Sequence, residues 1–150
     1  MESDIQVRDA RADEAGLIKQ MVRAEHLNPL SLDWQHFRLA VLAEGEIVGC
    51  VQVKTHRDGS RELASLVVQP RWRRRGIARG LIEDCLSRNR GELYLTCRAG
   101  LGPFYQKFGF APVALEQMPP YFRRISRLAG ALVGLSRTQE GLLVMRVQLE

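Results

Sequence analysis

Cysteine and lysine are both scarce in this 150-residue chain. There are three cysteines, Cys50, Cys85 and Cys97, an odd number at wide spacings. That fits reduced thiols in a cytosolic-type compartment, buried as small hydrophobes, better than a disulfide framework or a zinc site. Only three of the 22 basic residues are lysine; the rest are arginine. Long apolar runs are missing too, so no segment reads as a bilayer-spanning helix. The opening "MESDIQVRD" is acidic and polar and does not read as a secretion signal. Repeats, low-complexity tracts and long linkers are absent. The three histidines, His26, His36 and His56, are too far apart to suggest a metal set, so no metal is expected. Together these absences predict a cytoplasmic protein made of one domain over residues 1–150.

What is present is an ordinary globular composition, 45% hydrophobic and 26% charged, with a net charge of +5. The positive balance favours anionic partners in general without naming one. Ile5–Arg8 reads as a strand. "DEAGLIKQMVRAEH" carries Leu17, Ile18, Met21 and Val22 at helical spacing. Arg38–Ala43 and Glu46–His56 read as a hairpin, and "RELASLVVQP" as a third strand stopped by Pro70. A helix follows with Ile77, Leu81, Ile82, Cys85 and Leu86 as its apolar stripe. "GELYLTC" is a strand, "GPFYQKFGF" a short helix, and a strand lies near Phe110–Leu115. "PPYFRRISRLAGALVGLS" is an amphipathic helix over about 121–135, with Phe122, Ile125, Leu128 and Leu132 on one side. "GLLVMRVQLE" is a terminal strand. The expected order is β-α-α-β-β-β-α-β-α-β-α-β. That is an α+β fold: a mixed, mostly antiparallel sheet of six or seven strands with helices on both faces.

The densest signal is "QPRWRRRGIARG", Gln69–Gly80, where five arginines surround a Gly-x-Ala step. A strand ends at Val68, a turn follows, and a helix begins near Gly76. The unpaired amides of a first helical turn carry a partial positive charge and hold anions. Gly76 and Ala78 are small enough to let a phosphate reach that backbone. Arg73, Arg74 and Arg75 add charged donors at the same point.

"LVVQPRWRRRGIARGLI" resembles the acetyl-CoA-binding motif of the GNAT superfamily of N-acetyltransferases: Val-x-Pro, a short turn, then Gln/Arg-x-x-Gly-x-Gly/Ala opening a helix. "FYQKFGF" resembles the family's Phe/Leu-Tyr-x-x-x-Gly-Phe segment, and the resemblance runs from the first strand to the last. It implies acetyl-CoA as acyl donor. The diphosphate would be bound by the backbone of Arg74–Arg79, including Ile77 and Ala78, and pantetheine would lie along Leu66, Val67 and Val68. It also implies a primary amine as acceptor, a small molecule or a protein amine, attacking the thioester directly. Tyr105 is then the general acid for the leaving thiolate. Glu62 is the candidate base; its plainer reading is a solvated charge beside Arg61. Arg98 stands where many relatives carry asparagine, so that cofactor contact is not carried over.

Other features have two readings. Trp34 and Phe37 belong to the core or to the acceptor site. The 121–135 helix packs on the sheet, or it forms a wall of the acceptor site and a homodimer contact. Two rival functions remain beside the enzyme: an inactive GNAT-like binding or regulatory domain, and a nucleic-acid-binding module. The second calls for basic and aromatic residues spread over an open face. The arginines concentrate instead at one turn, so neither nucleic acid nor a membrane is expected as partner.

Overall fold

The structure is a computed structural model that describes residues 4–135 and 141–150. Seven strands hydrogen-bond in the order β1-β2-β3-β4-β5-β7-β6. They are β1 (Gln6–Asp9), β2 (Phe37–Val41), β3 (Ile47–Thr55), β4 (Arg61–Val68), β5 (Gly91–Arg98), β6 (Ala111–Pro112) and β7 (Leu142–Leu149). The α-helices are α1 (Ala15–Ala24), α2 (Ile77–Arg88), α3 (Gly102–Gln106) and α4 (Pro120–Leu135). The sheet is mixed: β4 and β5 pair in parallel at Glu62 and Tyr94, while β1–β2, β2–β3, β5–β7 and β6–β7 are antiparallel.

One predicted helix is missing. Between α1 and β2 there is only a 3-10 turn, Trp34–His36. Pro29 and the side-chain turns around it explain this. Asn28 Oδ1 accepts from the Leu30 amide at 3.0 Å, and Asp33 Oδ1 accepts from the Gln35 amide at 3.0 Å. Such local bonds compete with a helical ladder.

The chain divides into two compact units, Met1–Lys54 with Leu63–Arg88, and Thr55–Glu62 with Asn89–Glu150. In the first, Ile18, Met21 and Val22 of α1 pack with Phe37, Leu39, Cys50 and Val67. Phe37 therefore belongs to the core and Trp34 packs against it. Leu17, expected on the same stripe, is exposed instead. The α2 stripe holds as predicted at Ile77, Leu81, Ile82 and Cys85. Arg38 on β2 ties the layer together, gripping Asp84 of α2 through two bonds (2.8 and 3.0 Å) and Asp9 of β1 at 2.8 Å. Gly49 lets α2 approach β3 closely: a Cβ there would sit 3.0 Å from the Val67 carbonyl oxygen and 3.1 Å from Leu81 Cδ1.

In the second unit, β5 and β7 pair along their whole length, from Gly91 opposite Leu149 to Arg98 opposite Leu142. The strand expected near Phe110–Leu115 is only two residues long, since Pro112 cannot donate to a ladder. Phe122 of α4 is fully buried among Tyr94, Val113, Met118 and Val144, with Ile125 beside it. The apolar side of α4 is narrower than its sequence suggests: Leu128 is 59% exposed. The side chain of Leu132 lies outside the described residues. Among the described residues, no helix is long and apolar enough to cross a membrane, and no cluster of His, Cys, Asp or Glu could hold a metal.

Candidate functional site

The start of α2 is built by the turn before it. The Gln69 amide donates to Val48 O and its side chain to Ile47 O, fixing the end of β4 against β3. Pro70–Trp72 forms a 3-10 turn, closed by the Trp72 amide on Gln69 O. Two residues then enter the left-handed region, Arg74 (φ 66°) and Gly76 (φ 82°). A Cβ at Gly76 would meet nothing within 4 Å, so the glycine serves the backbone angle, not close packing. The first helical bond runs from the Gly80 amide to Gly76 O at 3.0 Å. The amides of Ile77 and Ala78 precede it and have no partner within the helix.

The arginines of this turn differ in what they touch. Arg71 pairs with Glu46. Arg73 is held by protein groups, its Nε on Val68 O at 3.1 Å and its terminal nitrogen on Glu25 at 2.6 Å. Arg75 lies over the Trp72 ring at 4.9 Å. Arg74, Arg75, Gly76 and Arg79 are exposed around the amides, while Ile77 is buried and Ala78 half-buried. Of the sequence-predicted anion ligands, Arg73 is thus committed to shaping the turn.

Ser65 sits in β4 with φ 56°, a left-handed residue inside a strand. Its Oγ accepts from Gln52 Nε2 at 2.9 Å, and that amide also donates to Ser31 O at 3.3 Å. Cys50 Sγ donates to Ser65 O at 3.5 Å. Such a residue breaks the regular ladder. The break falls just before Leu66, Val67 and Val68, of which only Val67 is fully buried. Nothing in the letters "LASLVV" marks Ser65 as special, and sequence reasoning missed it together with Gln52.

In the second unit, α3 carries Tyr105. Pro103 stands in its first turn, and Gly102 leaves room for Leu143, whose Cδ2 would be 3.0 Å from any Cβ there. Tyr105 meets the rings of Phe104 and Phe110 edge-on. Burial, with a smaller contribution from Cys97, pushes its phenol up to about 12. The hydroxyl is therefore a proton carrier throughout the physiological range.

Glu62 is buried, and the expectation of a solvated charge beside Arg61 does not hold. Arg61 turns instead to Asn89 Oδ1, at 2.7 Å, and to Arg90 O. Glu62 Oε1 lies 2.7 Å from His56 Nε2. The imidazole is sandwiched by α4: Tyr121 stacks on it at 3.5 Å and Phe122 meets it edge-on at 5.6 Å. Asp58, in the turn between β3 and β4, caps α4. It accepts from the Tyr121 amide at 2.9 Å, the Ser60 amide at 2.8 Å and Ser60 Oγ at 2.6 Å. Burial would raise the Asp58 carboxyl, but those bonds and His56 hold it below the usual range. The Tyr121 hydroxyl is pushed up by burial and by Glu62, against the pull of Arg124. Beside this cluster lies a cleft of about 410 Å³ lined by Asp58, Ser60, Arg61, Glu92, Tyr94 and Pro119.

His56 was passed over in the sequence because it has no metal-ligand spacing. The available signal was its place six residues before Glu62, across a tight hairpin turn.

A family model described as "Acetyltransferase (GNAT) domain" matches residues 34–112, the span from the turn ahead of β2 to the end of β6. Among solved structures, the fold is similar to that of N-acetylglutamate synthase from Neisseria gonorrhoeae, complexed with coenzyme A and N-acetyl-glutamate. The TM-score is 0.76 at 18% identity, over 97% of this chain and 35% of that one. The present chain thus spans about a third of the length of the gonococcal protein. Rv2747 from Mycobacterium tuberculosis, solved in complex with CoA, matches with a TM-score of 0.72 at 19% identity, over 97% of this chain and 99% of that one. Ard1 from Thermoplasma volcanium gives 0.68 at 16% identity, over 98% and 99%. At these identities the likeness is one of fold. No curated protein has a matching sequence.

Proposed function

The chain belongs to the GNAT acetyltransferase family, and from that premise we propose that it transfers the acetyl group of acetyl-CoA to a primary amine. The whole chain is taken as one acetyltransferase domain. The observation that carries this reading is the start of α2: two left-handed residues, exposed arginines and open amides, set inside the segment that the family model covers. Backbone amides between Arg74 and Arg79, those of Ile77 and Ala78 among them, grip the diphosphate, with Arg74 and Arg75 adding charge. Leu66, Val67 and Val68 receive the pantetheine arm, and a β4 amide near Val67 or Val68 polarises the thioester carbonyl. Because Arg73 is already tied to Val68 O and Glu25, its part is to hold the turn.

The chemistry has two proton steps. A lysine-like ammonium is about 0.04% neutral at pH 7, a cost of roughly 4–5 kcal/mol. Glu62 supplies the negative charge of the base that frees the lone pair. The amine attacks, the C–S bond breaks, and Tyr105 protonates the departing sulfur. A phenol held near 12 keeps its proton throughout the working pH range. A free thiol ionises at about 8.5, so the transfer is completed by the higher basicity of a thiolate formed without its water.

A thiol-release assay with acetyl-CoA across a panel of primary amines tests this. Turnover with at least one amine is expected, and Tyr105→Phe and Glu62→Gln should each lower it. A protein that binds coenzyme A but releases no thiol with any amine would be the inactive binding domain instead.

A further inference from the structure

The base holds more than a carboxylate. The Glu62 side chain is 8% exposed and its Oε1 is committed to His56 Nε2 at 2.7 Å. Read as carboxylate accepting from imidazole, the bond places its proton on Nε2. In the neutral ring this leaves the lone pair on Nδ1. Among the described residues, Nδ1 has no hydrogen-bond partner. The ring cannot swing out of this setting, because Tyr121 lies flat on one face and Phe122 abuts its edge. Tyr121 is fixed in turn by the Asp58 cap on α4. Both side chains are nearly enclosed, His56 at 12% exposure and Glu62 at 8%.

Resting on the acetyltransferase reading, we propose that His56 Nδ1 takes the proton from the acceptor ammonium, and that Glu62 is the positioning residue behind it. Of the three ammonium hydrogens, one stays on the amide nitrogen. One ends on the coenzyme sulfur by way of Tyr105, and one passes through His56 to solvent. The N–C bond forms as the C–S bond breaks, and no other reactant is needed. The charge that forms on the ring is balanced by Glu62 in direct contact and by Asp58 in the adjoining turn. The other ionisable groups on this cluster are Tyr121 and Arg124 of α4. Helix α4 then has a catalytic purpose, since its Tyr121 and Phe122 clamp the base.

The test uses acetyl-CoA with two primary-amine probes, phenethylamine and Nα-acetyl-lysine amide, and calorimetry of coenzyme A binding alongside. His56→Ala should lower kcat/KM about 100-fold with coenzyme A affinity unchanged. Added imidazole should restore activity in a concentration-dependent way, whereas 1,2,4-triazole, equal in shape but a far weaker base, should not. Glu62→Gln should cost less than His56→Ala, and the double variant should be no worse than His56→Ala alone. His56→Asn, which keeps a polar group against Glu62, should show the same loss and guards against misfolding of the alanine variant. The proposal is overturned if His56→Ala or His56→Asn keeps wild-type kcat/KM, if both azoles rescue equally, or if Glu62→Gln costs more than the histidine variants. In those cases the wild-type protein still acetylates the probes and the acetyltransferase reading stands. A wild-type protein that releases no thiol with these probes or with any other primary amine of the panel sinks both.

Discussion

Tyr105 holds its proton more tightly than a free phenol does. Burial and Cys97 raise the phenol from 10.0 to about 12, so the acid is loaded at any working pH. Tyr105→Phe should lower kcat about 100-fold and leave the Kd for coenzyme A unchanged; an unaltered kcat would remove Tyr105 from the mechanism. The same shift bears on stability. The unfolded phenol ionises near 10 and the folded one near 12, and Cys50 and Cys85 run from 9.0 unfolded to about 12 folded. Above the unfolded values the unfolded chain sheds protons first, so stability is intact below about pH 9 and declines as pH climbs towards 12. Urea midpoints measured at pH 8, 10 and 11 should fall in that order, and a constant midpoint would contradict the burial of these groups. Tyr105 was legible in the sequence because a local motif places it. His56 was not: its partners are Glu62 across a turn and Tyr121 on a distant helix, a proximity that only the fold creates.

The start of α2 depends on backbone shape more than on side-chain space. Gly76→Ala meets no neighbour but must hold φ near 82°, at about 1–2 kcal/mol. Its Tm should drop modestly while its Kd for coenzyme A rises more than tenfold; an unchanged Kd would mean the amides there hold nothing. Gly49→Ala is the opposite case. Its Cβ would press on Val67 O and Leu81, 3.0 and 3.1 Å away, and overpacking of this kind costs about 1–3 kcal/mol. Helix α2 could be read from periodicity because one face meets a continuous core. Helix α4 could be read only in part. Phe122 is fully buried and Leu128 is 59% exposed, so the apolar stripe outruns the surface it covers. Phe122→Ala should therefore cost about 3–5 kcal/mol in thermal or urea unfolding, and Leu128→Ala next to nothing. Equal losses would mean that Leu128 is covered in solution.

The whole chain carries a net charge of +5, and the arginines at one turn turn that general bias into a local one. Fold class was legible because hydrophobic alternation and helical spacing recur along the entire sequence, and because two motifs stand at a fixed separation. The absent second helix was not legible, since the bonds that replace it run from the Leu30 and Gln35 amides to the side chains of Asn28 and Asp33. The left-handed Ser65 was not legible either, because its partner Gln52, which also donates to Ser31 O, lies thirteen residues away on β3. Isothermal titration with coenzyme A, set beside pantetheine, tests the central claim most directly, because the two ligands differ in the diphosphate and nucleotide. The account predicts one-to-one binding of coenzyme A that weakens as salt is raised, and pantetheine binding at least a hundredfold weaker. No heat with coenzyme A, or equal affinity for the two, would contradict it.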